Sequence, residues 1–333
     1  MRRFVVGLMP AVAVLLAGCT AGGTTGDGEG DGAPLDDPVV TVDGAAGEPA
    51  AEVPNISTEE QMLSHSAFPL DAFSLDGDFL VIMVAEHRLL AECMAEQGFD
   101  LSPFPPPGYE EAPRQPRLAD KYGVGLMAEV QEYGYVPPPK YFGPPQPPPP
   151  SPLSPERQAA YELAMNGPVE QRLHDEPLVV PGLITMYSAG YAPGSCKDRT
   201  YEALQVPDYR QLSDGNGSVL VTSLVYDTLT AAQADSRSVA ADGAWSACMK
   251  DKGFDASSPD EARGAYGELE VGVQIPVATA DVECKYVTNY FGIRYGVETA
   301  YQKAAIEENV QQLEAIAADH RVILEIAEAI VNE

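Results

Sequence analysis

Apolar positions recur at helical spacing through most of the chain beyond residue 74. In SLDGDFLVIMVAEHRLLAECMAEQGFD (74–100), Phe79, Ile82, Met83, Leu89, Leu90 and Cys93 share one helical face, and Ser74 or Asp76 is placed to cap its start. LSPERQAAYELAMNG predicts a helix with Ser154 as N-cap, Pro155 at the first helical position and Gly167 closing the end. GSCKDRTYEALQ starts another, with Cys196 in its first turn. GSVLVTSLVYDTLTAAQ reads as helical, although its β-branched content leaves a strand open. DSRSVAADGAWSACMKDKG predicts a helix from Asp235 that carries the single Trp, and SPDEARGAYGEL opens on a capping box from Ser258 to Glu261. ATADVECKYVTNYF then carries Cys284.

From Glu298 the pattern is helical to the end. Val310, Leu313, Ala317, His320, Leu324, Ala327 and Val331 alternate in steps of three and four, and Ile316, Ile323 and Ile330 widen the stripe. This is a heptad face. Two uses fit it: packing on its own domain, or receiving a partner helix or a second copy.

Other stretches lack such a period. Residues 20–57 are rich in Gly, Ala, Asp and Pro and bury too little to offset ordering entropy, which predicts a disordered tether with an r.m.s. span of roughly 35 Å. Within it, Asp27, Glu29, Asp31 and Gly32 begin like a calcium loop, but Pro38 stands where the closing acidic ligand belongs. SPFPPPGYEEAPRQPR leads to a short helix around Met127–Glu132, and YGYVPPPKYFGPPQPPPPSP follows. Such segments favour polyproline II, as stiff connections or as docking strips. PLVVPGLITMYSAGY reads as a strand or a buried loop.

Two stretches repeat each other: ECMAEQGFD (92–100) and ACMKDKGFD (247–255). A helix ending in a Schellman motif carries Gly at C′ and a hydrophobic residue at C″ that packs back on C3. With Gly98 at C′, Phe99 is C″ and Met94 is C3; the second copy gives Gly253, Phe254 and Met249. The repeat therefore predicts two helix stops, each clasped by a Met–Phe contact. Cys93 and Cys248 sit one residue before C3, where each can staple its helix end to another helix. Pairing within each half gives Cys93–Cys196 and Cys248–Cys284; a crossed pairing of Cys93 with Cys248 or Cys284 fits the same count. Closing such loops stabilises by about 3–5 kcal/mol on the chain-entropy account.

The first eighteen residues, MRRFVVGLMPAVAVLLAG, join a basic start (Arg2, Arg3) to an apolar run too short for a stable membrane span, the shape of a secretory signal. Leu16-Ala17-Gly18-Cys19 resembles the lipobox of bacterial lipoproteins. The resemblance implies cleavage after Gly18, lipidation of Cys19 and anchoring on the outer face of the cell membrane by two acyl chains, at about 0.8 kcal/mol per buried methylene. The four remaining Cys then lie outside the cytosol, where disulfides persist. Removing Arg2 and Arg3 takes two positive charges from a formal charge of −30, which excludes nucleic acid and flat binding to an anionic bilayer. The elements CM-x3-GF, YGY before a Pro-rich loop, LSPERQAAYELAMNG, SCK and AWSACMKDKGF are similar to those of uncharacterised secreted lipoproteins of high-GC Gram-positive (actinobacterial) bacteria. That resemblance implies an exported, mostly helical, disulfide-bearing envelope protein, and carries no activity or ligand.

The expected fold is mainly α: a disulfide-stapled helical ectodomain with Pro-rich loops and a long C-terminal helix. Its organisation is a signal peptide (1–18), lipidated Cys and tether (19–66), a first helical lobe with the Pro-rich loop (67–210) and a related second lobe (211–333). Catalytic chemistry has no foothold in the motifs. The four His (His65, His87, His174, His320) lack HExxH spacing, and no GxSxG, SxxK, P-loop, GxGxxG or CxxC occurs. Cys–Met pairs holding Cu(I) would need free thiols converging on one point. No catalytic residue, cofactor or metal is therefore expected. The expected function is a non-catalytic binding or scaffolding role toward an envelope protein partner through the C-terminal helix. The alternatives are a transporter-associated small-molecule receptor, disfavoured by the missing βαβ alternation, and a wall-active enzyme.

Overall fold

Helix boundaries follow local chemistry at most ends. In the computed structural model, which describes residues 39–42, 44–75, 77–105, 114–142, 153–172, 190–206 and 218–333, the chain is mainly helical. The first half holds α1 (Glu59–Ser64), α2 (Phe79–Glu96), α3 (Arg117–Tyr122), α4 (Met127–Tyr133), α5 (Pro155–Asn166) and α6 (Cys196–Ala203). The second half holds α7 (Val219–Ala234), α8 (Ser236–Asp251), α9 (Pro259–Tyr266), α10 (Val271–Val287) and α11 (Tyr290–Asn332). Ser154, Ser195, Asp235 and Ser258 each accept a bond from a backbone N–H of the turn they cap. Gly167 closes α5 at φ +72°, and Val219–Ala234 is helix, not strand.

Some ends differ from expectation. The α2 helix begins at Phe79 with Asp78 at the N-cap, not Ser74, and Asp78 makes no side-chain cap bond; Asp76 lies outside the described residues. The Glu261 carboxylate reaches the Ser257 N–H at 2.8 Å, one residue short of the box expected at Ser258. The last helix begins at Tyr290, directly after α10 ends, because Asn289 takes the left-handed conformation (φ +52°) and turns the chain. It bends at Asn309 (φ −121°, ψ 17°), whose side chain bonds the Ala305 carbonyl.

The tether is corrected for residues 39–66. Val39–Val42 (β1) and Ala51–Pro54 (β2) pair antiparallel, and α1 follows. Alternation within a Gly- and Pro-rich segment explains this: Ala51, Val53 and Ile56 are buried while Glu52 faces out, with Ala51 and Val53 packed on α11. Two glycines one turn apart on α11 make room for the strand. A Cβ at Gly292 would stand 2.1 Å from the Pro54 carbonyl oxygen, and one at Gly296 2.4 Å from that of Glu52. Asn289 completes the join, accepting from the Ile56 N–H at 2.7 Å and donating to the Pro54 carbonyl at 3.0 Å. The lipobox, Cys19 and the calcium-like loop lie outside the described residues, as do His174 and nearly all of PLVVPGLITMYSAGY.

Residues 37–333 form one compact unit. Among the described residues the two halves share one core, which combines Ile56, Met62, Phe68 and Leu118 with Trp245, Met249, Val277 and Phe291. The heptad stripe of α11 is largely covered by this same unit. Leu313 packs with Leu70 and Val221, and Ile323 and Ala327 pack with Ile82 and Ala85 of α2. Val310 stays 45% exposed. Among the described residues no helix is long and apolar enough to cross a membrane.

Candidate functional site

The repeated stretches form two matching helix stops. Gly98 takes φ +78°, with Phe99 N–H on the Met94 carbonyl at 2.9 Å and Gly98 N–H on the Ala95 carbonyl at 2.9 Å. Gly253 takes φ +91°, with Phe254 N–H on the Met249 carbonyl at 3.0 Å and Gly253 N–H on the Lys250 carbonyl at 3.0 Å. Both are Schellman ladders. Met94 and Phe99 share one core cluster, as do Met249 and Phe254 another. Arg157 stacks its guanidinium on the Phe99 ring at 4.2 Å and bonds the Gly98 carbonyl, tying α5 to the first stop.

Each stop carries a disulfide. Cys93 is bonded to Cys196 and Cys248 to Cys284, so the uncrossed pairing stands. The first bridge joins α2 to α6, the second α8 to α10. With all four sulfurs oxidised, the Cys–Met pairs offer no thiolate to a soft metal. Among the described residues no group of three or more His, Cys, Asp or Glu is arranged to hold a metal ion.

Three buried polar networks were not legible as such. Asp281 and Lys285 are both fully buried and 3.1 Å apart; Lys285 also donates to the Val124 carbonyl at 3.1 Å, and Trp245 donates to Asp281 at 2.9 Å. Burial pushes Asp281 up and Lys285 down, and their mutual attraction opposes both shifts. Glu298, also fully buried, accepts from Tyr122 at 2.7 Å and Gln302 at 2.9 Å and pairs with Lys121. Burial and then the Glu298 charge raise the Tyr122 hydroxyl well above its ordinary value. Arg237 holds Asp235 at 2.7 Å and bonds the Val42 and Pro49 carbonyls at 2.8 Å each, clamping the hairpin onto α8. These charges are directed at one another and at backbone, the pattern of a scaffold.

One Ser–His contact has the composition of hydrolytic chemistry without its geometry. Ser64 Oγ lies 3.3 Å from His65 Nδ1, but both groups also reach the Gln61 carbonyl at 2.8 Å. A carbonyl only accepts, so Nδ1 carries the proton and is no base toward Ser64. His87 packs against Phe104, and His320 is buried in α11.

An open groove of about 880 Å³ lies between α1 and the Pro-rich region. Leu63 and Phe142 stand on it 47% and 69% exposed. Arg117, salt-bridged to Asp71 at 2.9 Å and 5.9 Å over the Phe68 ring, forms one wall. Tyr141 forms the other, donating to Glu129 at 2.5 Å while Lys140 covers its ring at 4.9 Å. Burial, then Glu129, raises the Tyr141 hydroxyl above its ordinary value. Exposed Leu63 and Phe142 thus stand beside an Arg held by an ion pair and a Tyr held by a hydrogen bond. The groove takes residues from 63 to 142, so no local motif announces it.

Comparison with known protein families, with curated proteins and with solved structures finds no match to this chain.

Proposed function

We propose that this chain is an exported lipoprotein anchored at Cys19 on the extracytoplasmic face of a bacterial cell membrane, where it binds an envelope protein without catalysing a reaction. The observation that carries this reading is Leu16-Ala17-Gly18-Cys19 at the end of a basic-then-apolar leader. Two intramolecular disulfides support it, being the usual equipment of an exported domain. The partner surface is the groove at Leu63, Arg117, Tyr141 and Phe142, because the heptad stripe of α11 is covered by α2, α7 and the turn at Pro69–Phe73.

Two measurements test the two halves of the reading. In cells fed an alkyne fatty acid, the wild-type chain takes up label and sediments with membranes, whereas Cys19→Ala does neither; label retained by the variant overturns the anchor. A photocrosslinking residue at position 142 yields a discrete heteromeric adduct that one at position 310, on the exposed end of the heptad stripe, does not. Adducts at 310 alone return the partner to the C-terminal helix.

A further inference from the structure

The two disulfides occupy different chemical settings. Cys284 has no exposure and lies in the main core with Trp245 and Met249, and its partner Cys248, half-buried, packs against the same core. Cys93 and Cys196, 5% and 2% exposed, instead form the floor of an open cleft of about 460 Å³ whose walls include Gln97, Pro193, Gly194 and Arg199. Arg199 Nη1 donates to Cys93 Sγ at 3.4 Å and is held there by Glu96 at 3.0 Å. Cys196 is the first residue of α6, and Ser195 caps that helix by accepting from the Asp198 N–H. A guanidinium on one sulfur and a helix N-terminus at the other both favour thiolate. Departing thiolates that are stabilised leave faster in thiol–disulfide exchange.

We propose that Cys93–Cys196 is a thiol–disulfide exchange site for a dithiol protein of the Cys-x-x-Cys class, while Cys248–Cys284 is a structural bridge. The partner's thiolate attacks Cys196 Sγ, forming a mixed disulfide and expelling Cys93 as a thiolate beside Arg199. The partner's second thiolate then attacks its own sulfur in the mixed disulfide and expels Cys196 at the start of α6. The partner ends as a disulfide, two electrons and its two thiol protons pass to Cys93 and Cys196, and the reverse sequence restores the bond. Reduction removes the covalent tie between α6 and α2, leaving the Arg199–Glu96 and Tyr201–Glu86 bonds, and α6 leads directly into Leu204 and Val206, which pack on Ile323 and Ala327 of α11. The site thus couples redox state to the packing of the C-terminal helix.

The test treats the folded full chain with dithiothreitol in steps, then with reduced thioredoxin as the protein dithiol, and maps alkylated Cys by mass spectrometry. Cys93 and Cys196 should be modified at reductant concentrations roughly tenfold or more below those that open Cys248–Cys284, with the helical circular dichroism retained. Arg199→Gln should slow opening of the first bridge several-fold and Arg199→Lys should restore most of the rate. Simultaneous opening of both bridges, or earlier opening of Cys248–Cys284, overturns the proposal. An unchanged rate in Arg199→Gln removes the role of the guanidinium and overturns it equally.

Discussion

Gly292 lies directly beneath Pro54: a β-carbon at 292 would stand 2.1 Å from the Pro54 carbonyl oxygen and 2.4 Å from Asn289 Oδ1. Neither obstacle is the free end of a flexible side chain, because Asn289 is itself bonded to Pro54 and Ile56. Gly292→Ala therefore lifts the hairpin off α11 and should cost about 2–3 kcal/mol, at the upper end of overpacking effects. Urea unfolding measures it, with faster amide exchange at residues 51–56 as the local sign. A loss below about 0.5 kcal/mol, the range of neutral surface changes, would mean that the strand does not rest on the helix.

The two helix stops isolate backbone conformation from packing. Nothing lies within 4 Å of a Cβ placed at Gly98 or Gly253, yet both hold positive φ. Gly98→Ala and Gly253→Ala should each cost about 1–2 kcal/mol, the left-handed penalty of an L-residue, and Asn at either position should cost less. Equal stability of Ala and Gly variants in thermal unfolding would contradict the helix-stop reading.

These stops, the caps at Ser154 and Ser258 and the helix start at Asp235 were legible because the signals for them sit in short local motifs, whereas the cysteine pairing, which joins positions 103 and 36 apart, stayed open between uncrossed and crossed. The hairpin was not. Composition averages over Ala51, Val53 and Ile56, and their support comes from Asn289, Gly292 and Gly296, some 235 positions away. Asp281 and Lys285 carry no motif, because i,i+4 spacing is equally that of a surface pair, and only the fold brings Trp245 and Val124 against them. The groove was equally hidden, since Leu63, Arg117 and Phe142 meet only after folding.

Asp235 gives the hairpin clamp a pH dependence. Burial pushes its carboxyl up, but hydrogen bonds from the Arg237 side chain and backbone and from Tyr301 outweigh burial and leave it below its ordinary value. The unfolded chain then binds this proton more readily than the folded one, so the group's stabilisation is present above the ordinary Asp value of about 3.9 and is lost as pH falls through the lowered one. Asp235→Asn should be less stable than wild type at neutral pH, and the gap should close in that acidic window. A gap independent of pH in denaturant titrations would assign the loss to packing.

The Asp281–Lys285 pair makes a sharper energetic claim. Each charge is buried, and each is tolerable only because the other is present. Lys285→Met strands a carboxylate left with neutral donors such as Trp245, and Asp281→Asn strands an ammonium left with neutral acceptors such as the Val124 carbonyl. Each single change should cost about 3–5 kcal/mol, the usual penalty for breaking a buried pair from one side. The double variant removes both charges, while the amide oxygen introduced at position 281 can still accept from Trp245. It should therefore lose much less than the sum of the singles, because desolvation of the ions disappears along with their attraction. Urea unfolding of the four proteins gives the coupling directly. Additivity within about 0.5 kcal/mol would show that the two groups do not depend on each other, and that the chain tolerates a lone buried charge at the centre of its core.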